Sequence, residues 1–336
     1  MKTSKRLRRN IAIWLAAGLF MTGTAGMAAG PIMPDPKAEA RHQPQVEETA
    51  NGIPLVNITA PSSGGVSRNE YETFNVPGKG VILNNSYTLS KTELAGYVQG
   101  NNNMAERPAK IIVNEVTGAG STSMDGFLEV AGNRADVVIA NPNGITVNGG
   151  GFINTGKAFL TTGKPVYDGE DHLQRFDITG GDILIEGKGL GGKETGSLAI
   201  LSRAVKINAG IWAKDLHITT GANTVDAKTL EASAIEGKGG HPAFALDTAA
   251  IGGMYAGRIT LVGTEKGLGV NNSGTWSAED NLTLDWNGDL KNSGTIYSKG
   301  NTDLRASCLE NDKTIAAGKD VTISADGHVA NTGTCL

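Results

Sequence analysis

Toward the C-terminal end of the chain, apolar and polar residues alternate. Leu282, Leu284 and Trp286 are separated by Thr283 and Asp285, and Val321 and Ile323 by Thr322. A period of two belongs to a strand with one buried face, not to a helix. The words Asn272-Ser-Gly-Thr-Trp276, Asn292-Ser-Gly-Thr-Ile296, Asn311-Asp-Lys-Thr-Ile315 and Asn331-Thr-Gly-Thr-Cys335 frame these stretches at intervals of 20, 19 and 20 residues. A fixed short period marks a solenoid, because each unit is too small to bury a core alone and must stack on its neighbours. Strand-turn-strand units stacked edge to edge predict an all-β chain, a parallel β-helix with strands about 4.8 Å apart. Asn272, Asn292, Asn311 and Asn331 then share one column, where side-chain amides can hydrogen-bond along the stack. Trp276, Ile296, Ile315 and Cys335 share an inward-facing column.

Upstream the strands come closer together and lose the clean period, as expected if the first rungs carry insertions. Val137 to Ala140 is a continuous apolar strand that runs into Asn141-Pro142-Asn143-Gly144, after which Thr146-Val147 resumes the extended pattern. Pro presets φ for the first turn position, and Asn and Gly tolerate positive φ at the next. Leu198 to Asn208 reads as the most apolar strand pair of this region. Asn84-Asn85, Asn101 to Asn103 and Gly149 to Gly151 read as turn clusters. Leu89 to Val98 is either a short helical turn or an excursion. Gly187 to Gly192 is expected to be a flexible hairpin tip, since no Lys-Ser or Lys-Thr pair follows in the phosphate-loop frame.

The N-terminus sets the compartment. Lys2, Lys5, Arg6, Arg8 and Arg9 precede an apolar stretch, Ile11 to Met21, and Gly26-Met-Ala28 offers small residues at a cleavage site. This is the layout of a signal peptide over residues 1–28, read by the Sec machinery, and the stretch is too short to span a bilayer. Residues 29–52, with four prolines and many charges, are expected to form a mobile leader.

Composition removes several chemistries. Gly accounts for 47 of 336 residues and aromatics for 5%, the usage of many short strands joined by turns. The net charge of −4 on a mixed surface leaves no basic footprint for nucleic acid. His42, His172, His217, His241 and His328 are scattered, without zinc-site spacing, so neither a metal nor a cofactor is expected. Two cysteines do not make a disulfide framework. Cys335 falls in the core phase and Cys308 at a turn or rung edge, and a bond between them is left open. Asp280, Asp285, Asp289 and Asp303 lie in different repeat phases, as solvated turn acids rather than a catalytic set.

Five words occur in one order: Gly65-Val-Ser-Arg-Asn-Glu-Tyr-Glu-Thr-Phe-Asn-Val76, Gly80-Val-Ile-Leu-Asn-Asn-Ser86, Ile111-Ile-Val-Asn-Glu-Val-Thr117, the run from Ala131 through Asn-Pro-Asn-Gly to Ile145, and Gly151-Phe-Ile-Asn-Thr-Gly156. Together they resemble the secretion domain of the filamentous haemagglutinin and contact-dependent inhibition family, the passengers of two-partner secretion. The resemblance implies a right-handed parallel β-helix with extra capping strands at its N-terminal end over residues 53–270, followed by the repeats at 271–336. It also implies recognition by the periplasmic domains of a dedicated outer-membrane barrel, and passage through that barrel unfolded. Asn141 to Gly144 matches the family's second Asn-Pro-Asn motif. The first falls at Asn101, Asn102, Asn103 and Met104, where Asn102 replaces Pro and Met104 replaces Leu, so that turn is expected to be less rigid.

The implied function is that of a secreted, cell-surface passenger serving adhesion or contact-dependent toxin delivery, with a host or neighbouring-cell surface as a further partner. A polysaccharide-degrading β-helix enzyme is the alternative, but it needs convergent carboxylates. A self-contained autotransporter needs a C-terminal barrel of alternating strands. The chain stops at Leu336 part-way through a unit, which suits a truncated form or a short product that keeps only the export domain.

Overall fold

Alternation and stacking set the architecture. A computed structural model describes residues 30–105 and 107–336; the signal peptide expected at residues 1–28 lies outside the described residues. The strands coil into a parallel β-helix with three faces. The first face runs from Pro54–Asn57 and Val81–Asn85 through Phe127–Gly132 and Gly150–Ile153 to Thr295–Ser298 and Thr314–Ala317. The second runs from Val66–Phe74 and Ile111–Val116 through Ala135–Ala140, Thr155–Thr161 and Ser197–Ser202 to Val321–Ala325. A nine-stranded sheet, from Thr122–Met124 to Val329–Asn331, makes the third. Gly210–Thr220 and Gly253–Gly263 are long enough to serve the first and second faces in turn.

One core fills the coil. Trp276, Ile296 and Ile315 are stacked in register and fully buried. Cys335 continues their register but is exposed, because among the described residues no rung lies over it. Cys308 is half-buried, and both thiols are free. The buried indoles satisfy their N–H groups, as large buried aromatics must: Trp276 Nε1 donates to Thr248 Oγ1 at 3.0 Å and Trp286 Nε1 to the Leu268 carbonyl at 2.8 Å. Gly263 seats the second indole, since a Cβ there would lie 2.3 Å from the Trp286 ring.

Excursions explain the missing period. An antiparallel hairpin, Ser90–Thr92 with Gly96–Val98, folds onto the outer side of the first face and forms a small core with Ile82, Ala131 and Leu55. The stretch that left helix or excursion open is therefore an excursion. A four-stranded antiparallel sheet, Lys164–Tyr167, Leu173–Ile178, Asn223–Asp226 and Ala232–Ala234, covers the outer side of the second face. Val137 and Ile139 accordingly point into the coil while Val138 and Ala140 point into this outer core. A strand buried on both faces reads as an unbroken apolar run. Leu282 to Trp286 has only one buried face and alternates.

Three expectations are corrected. The segment expected to be a mobile leader is paired from Ile32 onward: Ile32–Pro34 pairs antiparallel with Val66–Phe74, and Gln45–Glu48 pairs with Pro54–Asn57. Ile32 and Val46 join the main core, so one apolar residue per strand suffices to cap the open end despite the prolines, which an edge strand tolerates. Asn84 and Asn85 are not a turn but the buried end of Val81–Asn85. Gly187 to Gly192 is not a hairpin tip: Leu190–Gly192 is a rung of the first face, paired with Gly150–Ile153 and Gly210–Thr220.

Candidate functional site

The strand Ala135–Ala140 ends on Asn141, whose side chain is wholly buried and closes the corner between the second and third faces. Its Oδ1 accepts the Asn143 N–H at 2.9 Å, a local turn held by the side chain. Its Nδ2 donates to the Gly120 carbonyl at 2.9 Å and Thr122 Oγ1 at 3.0 Å on the preceding rung. Asn143 Nδ2 adds a bond to the Gly118 carbonyl at 2.8 Å. The backbone closes with the Gly144 N–H on the Asn141 carbonyl at 3.1 Å, with Gly144 at φ 111°, where a side chain would be strained. Pro142 and Asn143 are exposed, between buried Asn141 and Gly144.

The Asn101 turn lies at a different corner, between Val81–Asn85 and Ile111–Val116. It repeats the same bonds. Asn101 Oδ1 accepts the Asn103 N–H at 3.0 Å, and Asn101 Nδ2 donates to the Ile58 and Asn84 carbonyls at 2.9 and 3.0 Å. Asn103 Nδ2 also reaches the Ile58 carbonyl, at 3.1 Å. Met104 is buried in the main core, and Asn102 is exposed where the other turn has Pro142. Both turns are closed by the first Asn side chain, and the missing Pro of this one sits at the solvent-facing position.

The structure stacks Asn272, Asn292, Asn311 and Asn331 on one corner. Each Nδ2 donates to the next Oδ1, at 2.8, 2.7 and 2.7 Å. Further buried amides escaped the sequence reading. Asn84 Nδ2 donates to Asn57 Oδ1 at 2.8 Å, Asn85 bridges Ala109 and Asn133, and Asn114 accepts the Tyr71 hydroxyl at 3.0 Å. The signal was an apolar run ending in Asn, as in Val-Ile-Leu-Asn84 and Ile-Ile-Val-Asn114.

Charged groups collect beside the Asn101 turn. His42 Nδ1 and Arg68 Nη2 meet Glu70 Oε1 at 3.0 and 2.8 Å, and Arg41 meets Asp171 at 2.7 Å. They tie the N-terminal strands to the outer sheet around a cavity of about 500 Å³ whose wall includes Asn103. Burial pushes the Glu115 carboxyl up, against the pull of Arg68. Ser63 Oγ, His172 Nε2 and Asp168 have the order of a nucleophile, base and orienting acid, at 3.5 and 2.9 Å. Ser63 is exposed and shared with Glu170, so no dry pocket holds a reacting carbonyl there. Among the described residues no three His, Cys, Asp or Glu side chains converge as metal ligands.

Comparison with known proteins places the fold in a family. A family model described as the TPS secretion domain matches residues 31–297, which takes in the strands at 31–52. The chain is 43% identical over 298 residues to Toxin CdiA of Yersinia pestis, covering 82% of this chain and 9% of that protein. It is 43% identical over 282 residues to the 16S rRNA endonuclease CdiA of Enterobacter cloacae, covering 83% of this chain and 8% of the relative. The chain thus spans less than a tenth of the curated relatives it matches. Among solved structures, the filamentous hemagglutinin secretion domain superposes with a TM-score of 0.70 at 30% identity, covering 91% of this chain and 99% of that one. This chain belongs to the family of two-partner-secretion (TPS) secretion domains.

Proposed function

We propose that this chain directs its own export, through a cognate outer-membrane barrel, as the N-terminal part of a passenger serving contact-dependent toxin delivery or adhesion. Transfer across the inner membrane by the Sec machinery comes first, followed by recognition of the two asparagine turns by the barrel's periplasmic domains. One observation carries the reading: in both turns the first Asn Oδ1 accepts the closing bond from the N–H two residues on. Such a bond needs no tertiary structure. It can form in a chain that has not yet folded, and it presents Pro142-Asn143 or Asn102-Asn103 outward. The bonds to the preceding rung form later, as the helix grows rung upon rung outside the cell. The name of the Yersinia pestis relative, Toxin CdiA, supports the delivery role.

The test is co-expression with the cognate barrel. Wild-type chain is expected in the medium only when the barrel is present. Replacing Pro142 and Asn143 together by Ser, which leaves buried Asn141 in place, is expected to retain the chain in the periplasm. Export without the barrel, or unchanged export of the double variant, overturns the proposal.

A further inference from the structure

On the outer side of the first face, the register stacks Trp212, Tyr255, Ser277 and Tyr297 in one column. The same column continues back through Gly191 and Gly151 to Phe127. The Trp212 and Tyr255 rings lie nearly parallel, 17° apart, with centroids 6.2 Å from each other. Glycines seat them: a Cβ on Gly210 would lie 2.5 Å from the Trp212 ring, one on Gly253 2.9 Å from the Tyr255 ring, and one on Gly151 2.4 Å from the Phe127 ring. Any side chain there would lift the ring off the sheet. With glycine there, each ring lies over the position a side chain would occupy. Tyr255 and Phe127 are 38% and 45% exposed. Two residues away, Thr275, Thr295 and Thr314 stack in a second outward column. A cleft of about 540 Å³ beside Tyr255 is rimmed by Lys193 and Lys214 against Glu194 and Glu279.

We propose that this strip binds an extended neutral glycan, with sugar rings laid on Trp212 and Tyr255 and their hydroxyls bonded to the threonine column and the cleft rim. A pyranose ring has C–H groups on its faces and hydroxyls around its edge, and an aromatic π face attracts the positive edge of C–H bonds. The rings on the Trp212 and Tyr255 rungs, followed along the strip by the hydroxyls of Thr275 and Thr295 on the next rungs, offer both kinds of contact. The balance of two Lys against two Glu on the rim gives no field to gather a polyanion or an anionic membrane. Strand addition is closed to a peptide, since the backbone of these strands is already paired on both sides.

Affinity electrophoresis of the full folded chain tests this, in native gels containing hydroxyethylcellulose, glucomannan or dextran. At least one polymer is expected to retard it and to quench its fluorescence, because among the three indoles of the described residues Trp212 is accessible while Trp276 and Trp286 are buried. Replacing Trp212 and Tyr255 together by Ala should weaken retardation about tenfold, whereas Tyr97→Ala, on the outer hairpin, should not change it; circular dichroism checks that each variant is folded. The quenching should be lost in the folded double variant, which lacks Trp212. No retardation and no quenching by any polymer overturns the proposal, as does equal retardation of the folded double variant. Loss of binding to the barrel's periplasmic domains in the double variant, with no polysaccharide binding by wild type, would make the strip a protein-docking face instead.

Discussion

Asn292→Ala probes the amide column where it is best connected. The side chain is fully buried. Its Nδ2 donates to Asn311 Oδ1 at 2.7 Å and to the Thr314 carbonyl at 3.0 Å, and its Oδ1 accepts from Asn272 Nδ2 at 2.8 Å and the Gly294 N–H at 3.3 Å. Truncation leaves Asn272 Nδ2 with only a 3.4 Å contact to the Thr295 carbonyl, and Asn311 Oδ1 with only the Lys313 N–H at 3.4 Å. Two buried polar groups lose their main partner, each costing roughly 1–3 kcal/mol, so the expected loss is about 3 kcal/mol. Because a rung touches only its neighbours, the damage should stay local. Urea unfolding reads the total, and hydrogen exchange by mass spectrometry reads its place: protection should fall across residues 270–331 and hold across residues 54–200. Asn272→Ala added to Asn292→Ala should cost less than the sum of the two, since they share a bond. A loss below about 0.5 kcal/mol, or protection lost evenly along the chain, would refute the reasoning.

Two other groups give separable predictions. Arg203 is held in a two-point pair with Glu265 at 3.0 and 2.7 Å and donates to the Lys238 and Gly240 carbonyls; Arg203→Met should cost about 1–3 kcal/mol, because Glu265 loses its two-point partner and keeps only the Ala222 N–H and His241, and should open residues 235–245 to limited proteolysis. Burial lowers the His217 pKa from 6.5 to about 4. The unfolded chain takes up a proton as pH falls below 6.5 while the folded chain stays neutral there, so stability should fall from pH 6.5 toward 4, with no contribution from this group above 6.5. His217→Gln should flatten that limb in urea titrations at several pH values, and an unchanged slope would count against it.

The repeats were legible because all their information is local. Leu282 to Trp286 alternates, and the Asn words recur every 19 or 20 residues, so phase alone names the inward column. The middle of the chain hid its period because partners come from afar: Ile178 pairs with Asn223, and Val138 is covered by a sheet drawn from residues 164–234. No window around Val137 contains that information. The N-terminal strands were misread for a related reason, since their prolines and charges describe composition while Ile32 is fixed by its pairing with Phe74. The site divides the same way. Asn141 to Gly144 was legible as a turn from adjacent residues and as a candidate motif only from the family resemblance, while Asn84 and Asn85 were not legible as buried amides, because they bond to Asn57, Ala109 and Asn133 across rungs.

The proposed role of the Asn141 turn in export is separated from its role in stability by one comparison. Asn141→Ala removes bonds to Gly120, Thr122 and Asn143, of which only Thr122 is buried, a loss of about 1–3 kcal/mol and no greater than that of Asn292→Ala. Both variants are expressed with the cognate barrel, and the ratio of chain in the medium to chain in the periplasm is measured. Asn292→Ala should be exported nearly as well as wild type, and Asn141→Ala should be retained. Equal export of the two variants, whether both are high or both are low, would contradict a turn that the transporter reads.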